Sequence, residues 1–212
     1  MARTIAYSLL EDRFKMAAGL ATLSQVDGFF FKQAVNNRAA LAWSRIKWPE
    51  LQTIVEKNVA AVSSPIVADK AVQIDNAVDV NDVFQVFNKN PLTDRSAFLL
   101  EFTLINGYLV LPANSTESSV FIKGNVVRPE YGKDAGEESN VPMFLTNYLI
   151  AGSLSDFLRG DGSTEKAMQE EQRAEEYLSL EMDRAERVEG QNKITFNTYP
   201  SYSFGVNILT TV

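Results

Sequence analysis

With 212 residues, no cysteine and no histidine, the chain can bury a sizeable core as one ordinary domain, or as one domain carrying an insertion. That composition removes thiol catalysis, cysteine or histidine zinc sites and the commonest general base, so any metal would have to be held by oxygen ligands. A formal charge of -7 and a pI near 4.8 argue against a basic surface for gripping nucleic acid, although DNA can pass such a protein without being held.

The opening Met1-Ala2-Arg3-Thr4-Ile5-Ala6 lacks the basic segment, apolar run and small-residue cleavage site of a secretory signal, so a cytoplasmic, soluble product is expected. Residues 4 to 17 mix Ile5, Leu9, Leu10, Phe14 and Met16 with charges at helical spacing, predicting a short amphipathic helix closed by Gly19. Ser24-Gln25-Val26-Asp27 is a variant of the capping box, starting a helix that should run from about Gln25 to Ile46. On that helix Phe30, Ala34 and Leu41 share one arc, and Phe31, Val35, Ala39, Ala42 and Ile46 the next, with Arg38 and Arg45 between them. Two readings fit: arginines snorkelling out of an ordinary core face, the default, or a helix sandwiched between its own bundle and a neighbouring subunit. Trp43 and Trp48 read first as aromatics clamping the passage out of the helix, and compatibly as anchors of a subunit interface. Pro49 stops the helix by steering its predecessor out of the α region.

After Pro49 the texture changes to period two and turn residues. Strands are predicted in Leu51–Val62, Ile66–Ile74, Val83–Phe87, Phe98–Ile105, Tyr108–Leu111 and Ser119–Val127, with Asn106-Gly107 the clearest hairpin turn. Five or six short strands without an intervening helix suggest a small antiparallel sandwich or barrel inserted between two helical halves. Arg128 to Asn140, punctuated by Pro129, Gly132 and Gly136 and rich in acid, reads as an exposed loop.

Val141 to Leu158 is apolar nearly all round, through Met143, Phe144, Leu145, Tyr148, Leu149, Ile150, Leu154, Phe157 and Leu158, so that helix must be covered on most sides. Thr146, Asn147, Ser153, Ser155 and Asp156 within it argue against a membrane span. A turn at Arg159–Ser163 leads into a charged helix from Thr164 to about Glu189, whose thin apolar stripe is Ala167, Ala174, Leu178, Met182 and Ala185. Its carboxylates stand beside Arg173, Arg184 and Arg187 without a histidine, so a solvated or partner-facing surface is a better reading than a metal or acid-base site. Asp161-Gly162-Ser163 lacks the register of a calcium loop and reads as a helix end at Gly160 followed by a cap at Ser163 or Thr164. No phosphate loop, dinucleotide fingerprint or nucleophile elbow is present, and no cofactor is implied. Asn192 to Val212 is apolar without a core of its own and should add strands to the insert or reach another subunit.

The fold expected is therefore α+β: a bundle of about four helices from residues 1–50 and 141–191, a β-rich insert at 51–140 that includes the acidic loop, and an extended C-terminal arm at 192–212. The helix carrying Asn36-Asn37-Arg38 and ending in Trp48-Pro49-Glu50-Leu51 resembles that of small tailed-phage virion proteins known as head-tail adaptor, connector or neck proteins. So does the run from Asp156 through Arg159-Gly160-Asp161-Gly162-Ser163 to Ala167, with its trailing acidic helix and Glu189-Gly190-Gln191. The resemblance covers the helical parts well and the strand-rich middle in outline, and its motifs are packing and turn residues.

It implies a non-enzymatic ring subunit, usually twelve-fold, sitting below the portal, joining head to tail and extending the DNA channel. The partners implied are copies of the chain, the portal and the next neck or tail protein, with genomic DNA passing through without sequence-specific binding, no membrane, and a final location in the virion neck. On that reading the subunit and partner interfaces would fall at Arg38, Arg45, Trp43, Trp48, Tyr199, Tyr202, Phe204 and Ile208. Glu170, Glu171, Glu175, Glu181 and Glu186 would form an acidic, channel-facing surface past which DNA slides. Competing readings are a tail terminator, tail-completion or collar ring, a carboxylate-metal enzyme, and an acidic DNA-mimic module.

Overall fold

A computed structural model describes residues 3–59, 70–74, 78, 82–105, 107–112, 114–132 and 140–208, with the backbone alone from residue 189 onward. The fold is mixed α and β, with four α-helices and small antiparallel sheets among the described residues. Two compact units divide the chain: residues 1–49 with 130–212, and residues 50–129.

In the helical unit, β1 (Thr4–Ile5) pairs antiparallel with β8 (Val141–Pro142), and the Met143 N–H donates to the Arg3 carbonyl at 2.8 Å. Both strands of this ribbon fall in segments whose residue pattern predicts helix. The reason is local at Val141, because a residue before proline avoids the α region, and Pro142 itself has an extended ψ of 128°. Helix α1 is therefore Tyr7–Ala18, closed by Gly19 at φ +71°, a left-handed conformation that glycine adopts without a Cβ penalty. Helix α2 is Gln25–Arg45. Its predicted cap is present: the Asp27 N–H donates to Ser24 Oγ at 3.1 Å, and the Ser24 hydroxyl donates to the Asp27 carboxylate at 2.7 Å.

Helix α3 (Thr146–Gly160) follows a single 3-10 turn at Met143–Leu145 and is the centre of the unit, packed against α1, α2 and α4 (Thr164–Ile208). Tyr148, Leu149, Ala151, Ser153, Leu154 and Ser155 are all buried, as an all-round apolar helix requires. Phe14 of α1 stacks on Phe31 of α2 at 4.3 Å and meets Phe157 of α3 edge-on at 5.8 Å. At the other end Trp48 packs on Phe144 at 4.9 Å and donates its Nε1–H to the Ala42 carbonyl at 2.8 Å. Helix α4 begins after a turn whose left-handed residue is Gly162, and it buries Ala167, Ala174, Leu178 and Ala185 of the expected stripe.

Two expectations fail in this unit. The start of the 128–140 segment is not an exposed loop: Tyr131 is fully buried, its N–H donates to Asn36 Oδ1 at 2.9 Å, and Asn36 Nδ2 donates to its carbonyl at 3.0 Å. One amide side chain thus satisfies both backbone groups of a buried residue, and residues 133–139 lie outside the described set. Secondly, the backbone expected to add strands from Asn192 onward continues α4 as one helix to Ile208, while 209–212 lie outside the described residues.

The second unit contains two three-stranded antiparallel sheets, ordered β2 (Gln52–Asn58), β7 (Ser119–Asn125), β4 (Val83–Phe87) and β3 (Ala71–Gln73), β6 (Tyr108–Val110), β5 (Thr103–Ile105). Neither closes into a barrel among the described residues. Val72, Leu109 and Leu111 from one side and Val86, Val120 and Ile122 from the other share one apolar cluster. The hairpin is where Asn106-Gly107 placed it, with Ile105 opposite Tyr108 and Gly107 at φ +83°. Gly124 is required for another reason: a Cβ there would lie 2.5 Å from Val78 Cγ1 and 2.8 Å from the Asp82 carbonyl, where the β4–β7 register slips.

Candidate assembly surface

The helical unit offers two features that bear on function, a buried ionic clamp that includes Arg38 and Glu171 and an exposed, uncharged α2 face that holds none of the residues proposed from the sequence. Arg38 is buried on α2. Its Nε and Nη2 donate to the Asp156 carboxylate of α3 at 2.9 and 2.7 Å, and its Nη1 and Nη2 donate to the Glu171 carboxylate of α4, both at 2.6 Å. Such fork-to-fork pairs fix geometry as well as charge. The Ser155 hydroxyl lies 3.0 Å from Glu171 Oε2 and 2.8 Å from the Ala167 carbonyl, and Arg159 approaches the same carboxylate at 3.5 Å. Gly152 makes the room, since a Cβ there would sit 3.0 Å from Arg38 Cδ. Hydrogen bonds from the Arg38 guanidinium hold the Glu171 carboxyl below the usual carboxylate range, and the two carboxylates raise the Arg38 pKa further. Burial pushes the neighbouring Tyr148 phenol up, against the opposing influence of Arg38.

The clamp joins α2, α3 and α4 into one body and leaves Arg38 unavailable to a partner, which corrects its assignment to an interface. Glu171 is engaged by the same clamp and stays part-exposed. Trp48 belongs to the core, being wholly buried and hydrogen-bonded within its own subunit. Trp43 is half-buried, and its Nε1–H is shielded from water without a hydrogen-bond acceptor among the described residues. Arg45 is half-exposed and pairs with Glu175 at 3.3 Å. Glu170 and Glu181 each meet an arginine three residues on, Arg173 at 3.4 Å and Arg184 at 2.7 Å, while Glu186 is exposed. The solvent face of α4 is therefore acid interleaved with arginine. The side chains of Tyr199, Tyr202, Phe204 and Ile208 lie outside the described residues.

Opposite the clamp, α2 presents what the helical periodicity did not isolate. Its exposed positions are Gln25, Val26, Phe29, Phe30, Gln33, Asn37, Ala40, Leu41 and Ser44, none of them charged, and Arg45 at its last residue, while Asp27 and Lys32 are part-exposed at the flanks. Val26, Phe29 and Leu41 are 77%, 68% and 52% exposed. A chain with 22% charged residues that keeps charge off the middle of one helix face over five turns, while displaying two phenylalanines there, has the composition of an interface centre and not of ordinary wetted surface. The signal in the residues is the spacing 26, 29/30, 33, 37, 40/41, 44. It is masked because the inner arc of the same helix is also apolar.

Among the described residues no group of three acidic side chains is arranged to hold a metal ion, and no helix is long and apolar enough to cross a membrane. Compared with known proteins, the chain matches no family model and no curated protein.

Proposed function

We propose that the chain is a structural subunit of a tailed-phage neck, a homo-oligomeric head-tail adaptor ring below the portal that extends the DNA channel and joins head to tail. The observation that carries this reading is the uncharged, aromatic outer face of α2, held rigid from behind by the Arg38 clamp. Ring subunits need a preorganised apolar face for a neighbour, and repeated head-to-tail use of one such contact closes a ring. The resemblance of the Trp48-Pro49-Glu50-Leu51 and Asp156–Ala167 segments to neck proteins supplies the biological setting. Within it, Glu170, Glu175, Glu181 and Glu186 on the solvent side of α4 would repel DNA enough to let it slide. The two β-sheets of the insert, which share one apolar cluster, would then make up a small sandwich carried by each subunit of the ring.

The deciding experiment is mass spectrometry of purified virions, followed by electron microscopy of the neck. The expected result is the protein in virions, as a twelve-fold ring against the portal. Its absence from virions overturns the reading, and a six-fold ring on the tail tube replaces it with a tail terminator or completion protein.

A further inference from the structure

We infer that the uncharged face of α2 is the seat for the C-terminal stretch, residues 192–212, of a second copy of this chain. The inference deepens the proposed function and rests only on its claim that the chain assembles with itself. Three observations lead to it.

The first is compositional: Asn192 to Val212 carries one charged residue, Lys193, and nine apolar or aromatic ones, from Ile194 and Phe196 to Leu209 and Val212. In an acidic chain the outer face of α2 and this stretch share a scarcity of charge, and an apolar stretch with so little charge cannot rest against the charged face of α4 without desolvating carboxylates.

The second is topological. Arg38 meets Glu171 and Arg45 meets Glu175, so α2 and α4 run in the same sense, and Arg184 sits over Phe144 beside Trp48, just past the end of α2. From there α4 continues as one helix to Ile208, which adds about 36 Å at 1.5 Å per residue. The backbone of residues 192–208 is carried beyond its own α2 and cannot turn back onto it while α4 is continuous. A neighbouring copy is free of that constraint.

The third is length: the 21 residues of α2 span about 31 Å, and the stretch from Gln191 onward is long enough to cover that face from end to end.

The natural absence of cysteine allows a clean test with full-length protein. One preparation carries F29C, a second carries Y202C, and the two are mixed under mild oxidation and run on a non-reducing gel. The expected result is a mixed disulfide at least ten-fold above that formed by F29C with T116C, an exposed position of the β-rich unit, and its loss when L41E is added to the F29C chain. Equal yields with the control overturn the inference, as does predominant F29C–F29C pairing, which would mean that two α2 faces meet each other. A double F29C/Y202C chain that closes only within one monomer overturns it too. Rings in virions without the mixed disulfide would leave the neck assignment standing and remove this contact alone. The mixed disulfide in a protein absent from virions would do the reverse.

Discussion

Replacing Arg38 with methionine should destabilise the helical unit by about 2–4 kcal/mol. Removing one partner of a buried ionic cluster typically costs about 3–5 kcal/mol because the remaining charges are left uncompensated, and here the carboxylates of Asp156 and Glu171 keep 27% and 28% side-chain exposure, which trims the penalty. The chain contains two tryptophans, Trp43 and Trp48, and both belong to the helical unit, so tryptophan fluorescence in a urea titration follows this unit and not the β-rich one. The pH dependence gives an independent reading. Glu171 has a folded-state pKa below its ordinary 4.5, so the unfolded chain binds more protons between the two values, and the clamp's contribution is complete above about pH 4.5 and lost as pH falls through the folded value. E171Q should therefore flatten the acid limb of stability relative to the parent. A cost below about 1 kcal/mol for R38M, together with an unchanged acid limb in E171Q, would refute the clamp as the element joining α2, α3 and α4.

W48A should cost about 3–5 kcal/mol, measured by far-UV circular dichroism, because a fully buried indole and its bond to the Ala42 carbonyl are lost together. A loss below about 1 kcal/mol would place Trp48 outside the core. S24A should lose about 1 kcal/mol through the cap on the Asp27 N–H, read by the same tryptophan fluorescence. G124A should destabilise the β-rich unit by about 1–3 kcal/mol, since its Cβ would press on Val78 and the Asp82 carbonyl; hydrogen exchange of the β4 and β7 amides should accelerate while α3 amides stay protected.

Features decided by neighbours in the chain are legible in the order of residues alone. Ser24 and Asp27 announce the start of α2, Gly107 places a hairpin, and the alanine-rich stripe on α4 identifies the side that packs, because capping, turn sterics and helical period act over a few residues. At Val141 two local rules compete, and apolar periodicity loses: proline at 142 pushes its predecessor out of the helix and into a short strand. Glu171 also leaves a trace. It lies four residues after Ala167 and three before Ala174, on the apolar stripe itself, where a carboxylate signals a buried partner and not a solvated face.

What the pattern of residues could not settle is where long polar side chains end up. Arg38 stands beside an apolar arc, and its periodicity is the same whether it snorkels to water, faces a neighbour or turns inward. The choice is made by carboxylates 118 and 133 residues away, brought to it by the packing of α3 and α4. Tyr131 is drawn into the core by Asn36, 95 residues earlier in the chain. Most of the helices, the tight turns and the apolar faces follow from the order of residues. The tertiary structure decided which apolar face is spent on the subunit's own core and which, on the outer side of α2, is left uncovered, because burial is a property of what packs against a residue and not of the residue.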